Sequence, residues 1–195
     1  MSSRPKPLRP TEIDDERAKE LLKEAKTGWY GDTAFFGAMA HVTELLKQIT
    51  TTLQLFPQGQ HINTIMLELM RLKIAECHQC AYCATVRTIE IRDEVAPKED
   101  AVFGEVDKHG LTHREYLAVS LAEKLSEDPH KIQDSLFENL QNALTEGEII
   151  ELLLFASLEI GLDRFCIALE LNTTDDSSYP DLEYPLEDPR PKTEY

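Results

Sequence analysis

Positive charge is scarce in this sequence, and a long uninterrupted apolar run is missing. Lys and Arg number 20 against 36 Asp and Glu, a formal charge of -16 over 195 residues. Such an acidic chain repels nucleic-acid phosphates and anionic lipid alike, so neither is an expected partner. The most apolar stretch, residues 149–165, is interrupted by Glu151, Glu159, Asp163 and Arg164, which argues against a membrane span. The residues after Met1 are polar and proline-bearing, unlike a secretory signal, and a reducing cytoplasm is the expected compartment. Also missing is any run of alternating β-branched residues bounded by turns, so strands are not expected. What remains, 42% hydrophobic and 29% charged, is ordinary for a globular domain with tails.

Helix signals recur throughout, and the reading is all-α. Thr11 to Lys26 places acids early and lysines late, in accord with the helix dipole, but offers few large apolar residues; a peripheral arm is expected over 1–29. From Asp32 an apolar helix follows Ala34, Phe35, Ala38, Val42, Leu45, Leu46 and Ile49 until Phe56-Pro57 stops it. Another spans 61–76. Thr112 with Glu115, and Thr145 with Glu148, have the capping-box spacing that opens a helix, the second helix reaching about Leu171. Asp128-Pro129 reads as a further start. The helical domain is therefore placed at 30–171. Residues 172–195 turn acidic and proline-rich and are read as a tail, either solvated or draped by its tyrosines, Leu182 and Leu186 over a neighbouring subunit.

Cysteine numbers only four, yet three stand at Cys77, Cys80 and Cys83. The spacing opens like a ferredoxin cluster motif, but Arg87 lies where a fourth cysteine would be needed and no proline follows. A closed zinc site would require His78 or the distant Cys166 to join. No metal and no other cofactor is expected. The pair Cys80-Ala81-Tyr82-Cys83 is a C-x-x-C; opening a helix, its α-carbons would lie about 5–6 Å apart, within disulfide range. A helix start also favours thiolate, the nucleophilic form. Arg87, four residues after Cys83, would share a helical face with the pair and add positive charge, or would serve a structural ion pair. Proton transfer needs another group, and Glu68 is the candidate. It stands twelve residues before Cys80, about 18 Å away in one unbroken helix, so a partnership demands that the chain fold back near Cys77-His78-Gln79. Burial would raise its pKa. The alternative for Glu68 is a salt bridge that steadies the hairpin. Cys77, Tyr82 and Cys166 read as packing, His61 and His78 as caps or surface, and Trp29-Tyr30 with Phe35-Phe36 as anchors.

The order Glu68, Cys80, Cys83 within ELMRLKIAECHQCAYCATVRT, with GLTHREYLAVSLAEKL and LTEGEIIELLLFASLEIG downstream, resembles the carboxymuconolactone decarboxylase/AhpD superfamily, and its alkylhydroperoxidase-like members in particular, over roughly residues 30–170. The resemblance implies an AhpD-like helical bundle that assembles as a trimer or hexamer, a peroxide substrate, and an external thiol electron donor. Cys83 would then be the peroxide-attacking cysteine, Cys80 its resolving partner, and Glu68 the start of the proton relay. Arg87 and Tyr82 stand where better-studied hydroperoxidases carry histidines. A helical scaffold or redox sensor, and a lyase of the decarboxylase kind, are the competing readings.

Overall fold

The computed structural model describes residues 4–58 and 61–186. Among them every regular element is helical. After a 3-10 turn at Pro10–Glu12 come α1 (Glu16–Thr27), α2 (Ala34–Met39) and α3 (Thr43–Gln58), then α4 (Thr64–His78), α5 (Ala81–Thr85) and α6 (Arg92–Val95). Helices α7 (His113–Glu127), α8 (Asp134–Ala143) and α9 (Glu146–Leu169) complete the bundle.

Helix α4 is the axis. It is buried without interruption from Met66 to Ala75 and packs against α7 and α9. A helix enclosed on all sides cannot leave charges unpaired, and Glu68, Arg71 and Lys73 each find a partner inside. On one side Met66, Met70 and Ile74 join Leu117 and Leu121 of α7 and Leu152, Phe155 and Ala156 of α9. A second apolar cluster gathers Leu21 and Leu22 of α1, Phe35 and Phe36 of α2, the C-x-x-C segment and Cys166. Helix α1 is thus part of the packing around the cysteines rather than peripheral: Ala18, Leu21, Leu22 and Ala25 supply enough apolar surface at helical spacing.

Both capping boxes form, with the threonine oxygen of each accepting from the glutamate amide three residues on. The helix expected from Asp32 onward is interrupted by a 3-10 turn at Ala40–Val42. The chain is tightly confined just before that turn, because a Cβ added at Gly37 would lie 2.4 Å from the Leu8 carbonyl oxygen. Of the expected tail, 187–195 lie outside the described residues, as do 1–3 of the N-terminal arm. Residues 172–186 form no helix, and Tyr179, Leu182 and Leu186 pack back onto the cysteine-side cluster of their own chain.

Candidate active site

The hairpin begins where α4 stops. Gln79 adopts a left-handed conformation (φ 55°), and the amides of Gln79 and Cys80 bond back to the carbonyls of Glu76 and Ala75. The reversed chain enters α5 with Cys80 as its N-cap, whose sulfur accepts from the Cys83 amide at 3.3 Å. Cys80 and Cys83 are joined as a disulfide with α-carbons 5.3 Å apart. Cys80 is fully buried and Cys83 is 8% exposed. Between them Tyr82 is held as packing, its hydroxyl donating to buried Asp32 at 2.9 Å.

Folding back brings Glu68 to the α5 segment through Arg71. The guanidinium binds Glu68 at 2.9 and 2.6 Å, then donates to the Cys83 carbonyl and, at 2.8 Å, to that of Val86. Glu68 also accepts from the amide and hydroxyl of Thr88, at 3.1 and 2.9 Å. Both carboxylate oxygens are doubly engaged. Burial pushes this carboxyl upward, but the Arg71 charge and hydrogen bonds and the Thr88 amide outweigh it and hold Glu68 below the ordinary carboxylate range. The upward shift expected from burial alone is therefore reversed. Glu68 is an ionised anchor.

Arg87 is turned to a different partner. Helix α5 ends at Thr85 and Val86 is extended (ψ 147°), so the helical phase relating Arg87 to Cys83 breaks before it arrives. The side chain forms a bidentate pair with Glu99 at 2.7 and 3.0 Å and donates to the carbonyls of Ala84, Thr85 and Val86. It closes the C-terminus of α5 onto the 3-10 segment Ala96–Ala101.

Two cavities meet at Arg71. The smaller is bounded by Cys83, Phe35, Tyr82 and Cys166. The larger, about 390 Å³, is lined by Trp29, Phe36, Leu67, Phe155, Glu68 and Thr88. Tyr30, Arg71 and Glu159 line both. Glu159 comes from the inward face of α9 and, among the described residues, makes no hydrogen bond or ion pair. Its carboxyl is pushed up to about 8, by burial first, with Asp163 and Glu68 adding and Arg71 opposing. Glu159 is therefore a neutral acid at pH 7, beside a guanidinium already committed to Glu68.

Sequence reasoning passed over Arg71, Glu159 and the position of Cys166. The signal was present: Glu159, Asp163 and Cys166 recur at intervals of four and three, in phase with buried Leu152 and Ala156 of an apolar helix. Asp163 lies 3.3 Å from His78 Nδ1 and is also pushed upward by burial. Cys77 stands apart as a half-buried free thiol raised to about 11, chiefly by burial. His61 is exposed, near α4's start, where Asn63 supplies the cap.

No protein-family model matches the chain, and no curated protein sequence matches it. Solved structures do. The debrominase Bmp8 superposes with a TM-score of 0.70 over 90% of this chain and 94% of its own, at 16% identity. A peroxidase-related protein from Ralstonia eutropha JMP134, with an alkylhydroperoxidase AhpD core, gives 0.69 over 86% and 90% at 13% identity. Another peroxidase-related protein, from Silicibacter sp. TM1040, gives 0.68 over 97% and 100% at 13%. The chain has the AhpD-like all-helical fold, including the hairpin that carries Glu68 and the C-x-x-C pair.

Proposed function

We propose that the protein is a thiol-dependent, peroxidase-like oxidoreductase acting through Cys83 and Cys80. The reading rests chiefly on one observation: Cys83, disulfide-bonded to Cys80, borders a cavity system shared by a charged Arg71 and a neutral Glu159. In the reduced protein the Cys83 thiolate attacks the distal oxygen of a hydroperoxide; the S–O bond forms, the O–O bond breaks, and Glu159 protonates the departing alkoxide. The thiol proton returns Glu159 to its acid form through solvent. Cys80 then attacks the sulfenic acid, expelling water and forming the disulfide, which an external thiol donor reduces. Glu68 holds Arg71, and Arg71 places positive charge beside Cys83 by binding its carbonyl.

The larger cavity, with Trp29, Tyr30, Phe36 and Phe155, favours a second reading, reductive dehalogenation of an aromatic ring. Similarity in fold to a debrominase, of which a cysteine-to-alanine variant was solved in complex with 2,3,4-tribromopyrrole, supports it too. There the Cys83 thiolate takes the halogen as a sulfenyl halide, the ring carbanion is protonated, and Cys80 expels halide as the disulfide closes.

Homo-oligomerisation belongs to the proposal. Ile150, Leu154 and Leu158 form an exposed apolar line on α9 that a second copy would cover. The dithiol cycle also calls for a reducing compartment such as the cytoplasm; no described helix is long and apolar enough to cross a membrane.

The test exposes reduced protein separately to an organic hydroperoxide and to a bromopyrrole, and follows substrate and free thiols. Loss of two thiols per substrate, abolished in Cys83→Ser and stalled at a mixed or sulfenic product in Cys80→Ser, is expected. Thiols left intact under conditions that oxidise a known thiol peroxidase would reject both versions. Turnover surviving both substitutions would show that the chemistry does not pass through the dithiol and would reject both versions.

A further inference from the structure

Cys166 has no part in the reaction above, yet the fold carries it from the far end of α9 into the cysteine pair. The sulfurs of Cys80, Cys83 and Cys166 all lie within 4.8 Å of one another, and all three residues are buried. We infer that, once the disulfide is reduced, these three cysteines form a trigonal sulfur site for a trivalent thiophilic metalloid of the arsenite class.

Ligand number narrows the choice first. No histidine, carboxylate or further cysteine among the described residues joins the group, so the four closed ligands of a structural zinc site are not assembled. Three soft sulfurs suit a three-coordinate soft centre. Charge narrows it further. The three cysteines are buried, and the acids Asp163 and Glu159 line the same small cavity as Cys83 and Cys166. A monovalent or divalent cation held by three thiolates would leave net negative charge in a dry interior. Arsenite avoids that cost. One As(OH)3 condenses with three thiols to form three As–S bonds and three waters, without redox change and without creating an ion. The only oxidation change is the preceding one, in which two equivalents of an external thiol or one of a phosphine reduce the Cys80–Cys83 disulfide.

Cys77 is the fourth cysteine of the sequence and stands outside the cluster, so Cys77→Ser provides a clean background. The full chain with that substitution is reduced with a phosphine, freed of it, and titrated with sodium arsenite. Arsenic–thiolate ultraviolet absorption gives affinity, and X-ray absorption at the arsenic edge counts sulfur neighbours. One arsenic per chain with three sulfurs is expected, and none on the disulfide form. Adding Cys166→Ala or Cys166→Ser should weaken binding by about tenfold or more, as a third tethered ligand is lost, and leave two sulfurs and one oxygen. No binding, two sulfurs in the three-cysteine protein, or unchanged affinity in the Cys166 variants would each overturn the inference. The neighbour count is taken with Cys166 in place, so it decides the matter even where those variants fold poorly. Peroxide turnover is a separate readout, and a protein inert to hydroperoxide that binds arsenic through three sulfurs leaves this inference standing.

Discussion

Replacing Glu159 by glutamine should make the protein more stable, increasingly so as pH rises toward 8. The wild-type carboxyl is held up to about 8 in the folded chain against an ordinary 4.5. Between those values the unfolded chain has lost a proton that the folded chain keeps. Stability therefore falls as pH rises, by ~1.4 kcal/mol per pH unit from this group alone. The loss is absent below about 4.5, reaches on the order of 3 kcal/mol by pH 7, and levels off above about 8. Glutamine has the same shape and no such proton. Urea unfolding of both proteins from pH 5 to 9 isolates the difference, because the other titrating groups are common to both. The gap should widen by on the order of 3 kcal/mol between pH 5 and 8 and then stay constant. A gap that holds steady across that range would refute the neutral buried acid. The same pair tests the chemistry: hydroperoxide reduction by the wild type should decline as pH passes about 8, whereas Glu159→Gln should be slower by roughly a hundredfold and lack that decline.

Breaking the buried pair by Arg71→Met should cost about 3–5 kcal/mol at pH 7, read by chemical unfolding. The penalty should shrink at low pH, because a carboxyl held below its usual range contributes stability that is lost as pH falls through its folded value; a cost under about 1 kcal/mol would contradict the buried pairing. Tyr184→Phe removes the hydroxyl that accepts from the Tyr82 amide at 3.1 Å and donates to the Leu171 carbonyl at 2.9 Å. It should lower stability by about 1–2 kcal/mol and speed thiol reduction of the disulfide; an unaltered reduction rate would show that the 172–186 segment does not restrict access. Thr145→Ala should cost about 1 kcal/mol through loss of the α9 cap, measured by thermal unfolding.

What could be read in the sequence was what depends on near neighbours or on a simple constraint of reach. Thr112 and Glu115, or Thr145 and Glu148, are three residues apart and cap their helices whatever the rest of the chain does. The reversal at Gln79 was expected from reach, since Glu68 and Cys80 could cooperate only if the chain folded back; the chain does fold back there, and Glu68 then engages Arg71 and Thr88. Arg87 shows where this fails. Its helical offset from Cys83 carried meaning only if α5 continued, but α5 ends at Thr85, and beyond that end the arginine binds the terminal carbonyls and Glu99. For Glu159 the spacing marks burial but not the lack of a partner. Its isolation inside α9 is a property of packing between α4 and α9, and sequence spacing gives no measure of which carboxylate a distant arginine will choose.

That choice can be reversed. Arg71 has one guanidinium and two acids within its field: Glu68, which it binds at 2.6 and 2.9 Å, and Glu159, which it influences without a hydrogen bond. Because the charge is already committed, Glu159 keeps its proton. Glu68→Gln leaves hydrogen-bonding shape at the anchor but frees the positive charge, and it also removes a negative neighbour that helps to hold Glu159 up. Both changes favour ionised Glu159, while Asp163 on the same helix and Tyr30 across the cavity are unchanged. The Glu159 breakpoint in the stability curve should then move from about 8 to lower pH by about one unit or more, detected by comparing Glu68→Gln with Glu68→Gln/Glu159→Gln across the same pH series. A breakpoint that stays near 8 would mean that burial and Asp163 set this acid, and that Arg71 does not divide the two carboxyls into one charged anchor and one proton donor.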